Sequence, residues 1–284
     1  MNVQKKFALQ FIRTKLNVLG LLSDRKAGEV AFKLFCTPLP IPAEKQKDHF
    51  HSAEKLAFTV DGKTIRGYRV NHPRPHKILL LHGFSSTCQN FHRFVAPLVA
   101  QGYEVLAFDA PAHGKSEGKT VNAVDYANMI LKAVELYGPI HSFLAHSFGG
   151  MAISLALERM PHSPKTKVVL IAPATETTTA IDTAFSFIGI NKPALRKSMD
   201  EIIFSISGEH SEWFSIRRAM KNIKASVLWI HDEDDDVTPL SDALKVKEDA
   251  WPNVRFIITK GLGHRKIYRD ATVKKALLSF LQID

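Results

Sequence analysis

The chain has 284 residues, 45% of them hydrophobic and 23% charged, a globular balance that excludes a disordered tract or a fibrous repeat. Its longest uninterrupted apolar runs, such as Val168 to Ala172, are far too short for a membrane-crossing helix, and the well-separated Cys36 and Cys88 exclude a disulfide scaffold or a cysteine-rich zinc site, suit a reducing, cytoplasmic setting and leave one disulfide open. Thirty-eight basic against 28 acidic residues give a net charge of +10, but the positives are scattered, with no nucleic-acid motif or aromatic platform, so a basic surface and no nucleic-acid partner are expected.

Residues 1–22 carry Lys5, Lys6, Arg13 and Lys15 without an acid, and Phe7, Leu9, Phe11, Ile12, Leu16, Leu19 and Leu22 recur at roughly helical spacing. The spacing predicts a basic amphipathic helix. Arg13 and Lys15 interrupt what would be a signal peptide's apolar stretch, and Asp24-Arg25-Lys26 does not resemble a cleavage site, so secretion is not expected. The apolar face can dock on the same protein, the reading preferred from sequence, or rest on an anionic membrane surface. Ala27 to Cys36 reads as a second helix, broken by Pro38, Pro40, Ile41 and Pro42, where an extended connection begins.

The period then changes. Lys55 to Val60 and Thr64 to Val70 alternate around Asp61-Gly62, predicting a hairpin at an antiparallel edge. Six short apolar strands follow, Ile78 to Leu81, Val105 to Phe108, Phe143 to Ala145, Val168 to Ala172, Val227 to Ile230 and Val254 to Ile258. Between and after them lie helical stretches at Gln89 to Gln101, Val121 to Tyr137, Phe148 to Arg159, Leu240 to Ala250 and Asp270 to Leu281. Strand and helix in alternation predict a mostly parallel sheet with helices on both faces. From Ala174 to Asn222 the alternation lapses into several helices, too much chain for a plain crossover. The expected organisation is a helical extension over 1–54 and an α/β domain over 55–284, with an insertion at about 174–222.

Ligands of such sheets gather beyond the carboxyl ends of the strands. After Phe143-Leu144-Ala145 comes His146-Ser147-Phe148-Gly149-Gly150, a serine at a strand-to-helix turn with small residues two before and two after it, as a nucleophile elbow requires. Here the chain resembles the α/β-hydrolase family over roughly Lys55 to the C-terminus, with Ala145 standing where the family pattern has Gly. His82-Gly83-Phe84 and the turn Asp109-Ala110-Pro111-Ala112-His113-Gly114-Lys115-Ser116 match further family segments. The resemblance implies an oxyanion hole from the main-chain N–H groups of Phe84 and Phe148. Aligning His231-Asp232-Glu233-Asp234-Asp235-Asp236-Val237-Thr238-Pro239 puts the acid at Asp235, with Asp234 and Asp236 as neighbouring registers, and Gly261-Leu262-Gly263-His264 supplies His264 in the order Ser, Asp, His.

These roles follow from side-chain chemistry. Imidazole titrates near neutral pH, so His264 can take the Ser147 proton, and Asp235 can orient the ring and stabilise its charged form. The family resemblance therefore implies a serine hydrolase with a helical cap and no cofactor or metal, acting on a small-molecule ester or other acyl compound. Thioester, amide, lactone or carbon–carbon hydrolysis, acyl transfer and a non-catalytic ligand receptor on the same fold stay open. Ser147 in place of Asp disfavours branches with a carboxylate nucleophile.

Other residues have plainer readings. His146 is expected to pack or hydrogen-bond away from the nucleophile, His82 and His113 to be structural, and Cys88 to be a small buried hydrophobe. The run Asp232 to Asp236 lacks the Gly and terminal Glu of an EF-hand loop, so a solvated loop is expected there and not a metal site. Phe185, Phe187, Ile188, Ile190, Ile202, Ile203, Phe204, Trp213 and Phe214 pack the insertion or line an apolar pocket, and Arg217, Arg218 and Lys221 belong to a solvated face or meet an acidic substrate.

Overall fold

The computed structural model describes residues 3–40, 50 and 52–283. Of the predicted connection, Pro38 and Pro40 lie in non-regular backbone after the second helix, and Ile41 and Pro42 lie outside the described residues. Two helices open the chain, α1 (Val3–Leu22) and α2 (Asp24–Phe35). Ser23 caps α2 by accepting the N–H of Lys26, and Asp24 suits the positive end of that helix. Strands β1 (Glu54–Val60) and β2 (Lys63–Val70) form the hairpin, turned by Asp61 and Gly62, both left-handed at φ 49° and 71°. That pair of positive angles is the turn that matches strand twist, and it explains the Asp-Gly sequence.

The repeating part runs β3 (Lys77–Leu81), α3 (His92–Ala100), β4 (Glu104–Phe108), α4 (Ala123–Tyr137), β5 (Ser142–His146), α5 (Phe148–Leu157) and β6 (Lys167–Ile171). After an insertion holding α6 (Thr177–Ile188) and α7 (Pro193–Ser207), it resumes with a short α8 (Ile216–Ala219), β7 (Ser226–Asp232), α9 (Leu240–Glu248), β8 (Val254–Thr259), a short α10 (Gly263–Lys266) and α11 (Ala271–Phe280). The segment read as one helix from Gln89 starts as a 3-10 turn, Cys88–Phe91, before α3.

The sheet order is β1-β2-β4-β3-β5-β6-β7-β8, parallel from β4 to β8 and antiparallel at the β1–β2 and β2–β4 pairs. The central strands are apolar on both faces, and Leu79, Leu80, Phe143, Leu144, Val169 and Trp229 are buried, which is the mark of parallel strands covered on both sides. Their common direction brings Leu81, His146, Ile171 and Asp232 to one edge, where the site residues follow.

The chain divides into two compact units, residues 1–37 with 176–215, and residues 38–175 with 216–284. The first is helical: α1 packs on α2 and α6, and α2 packs on α7. Gly28 permits that last approach, since a Cβ there would lie 2.5 Å from Ser198 Oγ. Arg196 joins α7 to Asp182 of α6 at 2.8 Å, and Ser215 donates to Glu176 at 2.8 Å, drawing the two ends of the insertion together. The N-terminal helices and the insertion, expected as separate additions, fall in one unit, because the apolar stripes of α1 and α2 find their partners in helices about 170 residues away in sequence.

Candidate active site

Ser147 stands between β5 and α5 with φ 54° and ψ −119°. A side-chain-bearing residue in that region is strained, and the strain lifts its hydroxyl off the sheet end. Close packing explains the glycines that follow. A Cβ on Gly149 would meet Leu81 O at 2.4 Å, and one on Gly150 would meet Pro173 Cβ at 2.6 Å. Ala145 is different, for it is a buried β5 residue in register with Leu81 and Leu170 and has no positive φ, so nothing in its backbone requires Gly.

His264 comes from the short α10 beyond β8 and Asp235 from the loop beyond β7. The His264 ring bridges the other two: Nε2 lies 3.1 Å from Ser147 Oγ and Nδ1 lies 2.8 Å from Asp235 Oδ2. All three are buried. The carboxylate fixes the tautomer, with Nδ1–H donating to Asp235 and Nε2 left to accept the serine hydroxyl. Asp235 Oδ1 also accepts the N–H groups of Val237 and Thr238 at 2.9 and 2.8 Å, and Thr238 Oγ1 donates to Oδ2 at 2.9 Å. Burial raises the Asp235 pKa, but the hydrogen bond and charge of His264 and the two main-chain donors outweigh it and hold the carboxyl below its usual range. Asp234 and Asp236, the neighbouring registers, are exposed.

Asp232, fully buried at the end of β7, was not singled out by sequence. Its Oδ1 accepts from Gly263 N at 2.8 Å and Asp234 N at 3.0 Å, and its Oδ2 from Thr259 Oγ1 at 2.6 Å and Leu262 N at 3.2 Å. One carboxylate therefore ties the acid-bearing loop to the histidine-bearing loop. In the sequence it is only the first member of an acidic run, and three of its four partners lie 27 to 31 residues further on. Behind Asp235, His231 Nε2–H donates to Thr238 O at 2.7 Å, and burial lowers the pKa of that ring.

The segment after β3 is held by two neutral histidines. His82 donates from Nδ1 to Gly83 O at 2.8 Å and accepts Ala110 N–H at Nε2 at 2.9 Å. His113 likewise donates to Pro111 O at 2.9 Å and accepts Ser85 N–H at 3.0 Å. Each ring needs one bare nitrogen for these bonds, and burial pushes both pKa values down to about 4. The loop lies against the elbow, where a Cβ on Gly83 would be 3.0 Å from Ser147 Cβ. The Phe84 and Phe148 rings meet edge to face at 5.7 Å, and among the described residues no hydrogen bond takes the main-chain N–H of either.

His146 faces the site and not away from it. Its Nε2–H donates to the main-chain oxygen of His264 at 3.1 Å, and the two rings lie 4.8 Å apart. Burial, then the neighbouring charge of His264, pushes its pKa down to about 3. Cys88 is buried and its thiol is pushed up by that burial; Cys36 is buried as well, and neither cysteine is in a disulfide among the described residues. Arg217 and Arg218 are engaged by Asp249 and Glu158. A hollow of about 510 Å³ lined by Thr179, Asp182, Thr183, Ser186 and Phe187 belongs to the helical unit and contains none of the three bridged residues.

Residues 72–205 match the family described as "Serine aminopeptidase, S33". The chain is 23% identical to the bifunctional esterase/perhydrolase DCH of Acinetobacter calcoaceticus over 79% of its own length and 98% of that protein's. It is 30% identical to the uncharacterized hydrolase YugF of Bacillus subtilis, over 36% of this chain and 39% of that one. The solved structure of the Pyrococcus furiosus esterase Pf2001 superposes with a TM-score of 0.65 at 19% identity, covering 87% of this chain and 96% of the other. With this sheet order and the serine on its elbow, the chain has the α/β-hydrolase fold and is similar to hydrolases of that family.

Proposed function

We propose that this α/β hydrolase cleaves a small carboxylic ester through Ser147, His264 and Asp235. The observation that carries the reading is the His264 ring, 3.1 Å from the Ser147 hydroxyl on one side and 2.8 Å from the Asp235 carboxylate on the other. As Ser147 Oγ bonds to the acyl carbon, its proton passes to His264 Nε2, and Asp235 stabilises the imidazolium. The N–H groups of Phe84 and Phe148 receive the oxyanion, and one such donor is worth about 3 kcal/mol of transition-state stabilisation. Collapse breaks the ester C–O bond, and His264 returns the proton to the departing alkoxide. Water, deprotonated by His264, then cleaves the acyl-enzyme to a carboxylic acid and restores Ser147.

The balance needs neither cofactor nor metal. In this reading residues 55–284 are the hydrolase domain, the stretch at about 174–222 is its cap and residues 1–54 are an extension. Two buried cysteines outside any disulfide suit a cytoplasmic enzyme. Intact-mass labelling with a fluorophosphonate tests the central step. Wild type is expected to gain one adduct and Ser147→Ala none; no adduct on folded wild type, or an adduct that persists in the variant, overturns the mechanism. A panel of matched aryl esters and acyl thioesters then tests the ester preference.

A further inference from the structure

Helix α1 has apolar residues on two opposite sides. Leu9, Ile12, Leu16 and Leu19 recur at intervals of three and four and face inward, with Leu16 buried and the others partly covered. Phe7, Phe11, Val18, Leu21 and Leu22 recur at the same kind of interval on the opposite side and are open to solvent, from 51% exposed at Val18 to 81% at Leu21. Docking on the helical unit therefore accounts for one stripe only. Two phenylalanines, a valine and two leucines, spread over about four turns of one face and open to solvent, form a surface that soluble chains rarely leave uncovered.

Charge selects what covers it. The sequence of α1 contains Lys5, Lys6, Arg13 and Lys15 and no acid. Lys15, one turn beyond Phe11, is exposed beside the stripe. The first 37 residues hold seven basic and two acidic residues, Asp24 and Glu29, and Glu29 is engaged by Arg25. Pairing this helix with the same helix of a second copy would set cations against cations. An anionic bilayer supplies the complementary charge to the lysines and an acyl boundary to the aromatic and leucine side chains. No helix among the described residues is long and apolar enough to cross a membrane, so the helix would lie in the interface.

We propose that the outward stripe of α1 seats the protein on anionic lipid, an attachment independent of the hydrolase reading. The test is flotation of the full chain with phosphatidylglycerol-containing vesicles and with pure phosphatidylcholine vesicles, using wild type and the triple variant Phe11→Ser, Leu21→Ser, Leu22→Ser. Because the three side chains are solvent-exposed, the variant is expected to keep its circular dichroism and its melting transition. Wild type is expected to float with anionic vesicles, to do so weakly with neutral ones, and to be released in part by high salt; the variant is expected to bind at least about tenfold more weakly. Failure of wild type to bind anionic vesicles overturns the proposal, as does undiminished binding of the folded variant. A concentration-dependent dimer that the triple substitution dissolves, with no vesicle binding, would assign the stripe to a second copy instead.

Discussion

At the scale of single residues, the bridged serine, histidine and aspartate predict graded losses. Ser147→Ala removes the nucleophile and is expected to lower kcat by about 10⁶, while Asp235→Asn keeps the shape of the acid but misdirects the imidazole tautomer and is expected to cost about 10⁴. Initial rates on one aryl ester, with the variants' melting curves overlaid on wild type, check both; equal losses, or a larger loss for Asp235→Asn, would contradict the division of roles. His146 tests positioning separately. Its bond to the His264 main-chain oxygen fixes the backbone that carries the base, so His146→Phe, which keeps a ring and loses the donor, is expected to lower kcat by about tenfold with KM little changed. An unchanged kcat would reduce His146 to packing.

At the scale of elements, the parts legible in the sequence are those whose cause is local. Asp61-Gly62 announces its turn because two successive left-handed residues favour that pair, and β3 to β8 announce themselves as short apolar runs. The order Ser, Asp, His is likewise visible because each residue follows its own strand. Two features have no local cause. The grouping of α1 and α2 with α6 and α7 depends on which distant helix covers an apolar stripe, and a stripe does not name its partner. Asp232 is as hidden, because three of its four donors are brought in by the chain's return through β8. Asp232→Ala would leave several donors at a buried site without acceptors, at about 1–3 kcal/mol each where no water enters. Urea unfolding is expected to show a loss of at least about 2 kcal/mol, and kcat should fall as the His264 loop loses its anchor. A variant as stable and as active as wild type would show that the two loops hold their places without this carboxylate.

At the scale of the whole molecule, histidines held neutral inside the fold, among them His82, His113, His146 and His231, make it sensitive to mild acid. The pKa values of His82 and His113 are pushed down to about 4 and that of His146 to about 3, in each case chiefly by burial. For an unfolded chain the histidine pKa is about 6.5. Above that value neither state binds the proton, and the full stability is present. Between pH 6.5 and the folded values the unfolded chain takes up protons that the folded chain refuses, so stability falls as pH falls. At pH 5 each folded ring is still neutral, and the loss is set by the unfolded pKa, about 2 kcal/mol for each ring and about 6 kcal/mol for the three. That is comparable to the whole stability of an ordinary domain. The bonds that protonation would break, Ser85 N–H to His113 and Ala110 N–H to His82, hold the segment around Phe84, so partial acid damage should reach the site as the fold loosens. Urea unfolding at pH 7.5 and pH 5.0 is expected to show the midpoint falling steeply. In His113→Asn, which deletes one of these refusing rings, the stability difference between the two pH values should shrink by about 2 kcal/mol even if the variant is less stable at both. A midpoint that is flat over this range would mean that these rings carry protons in the folded state, and the hydrogen-bond pattern assigned to the loop after β3 would then be wrong.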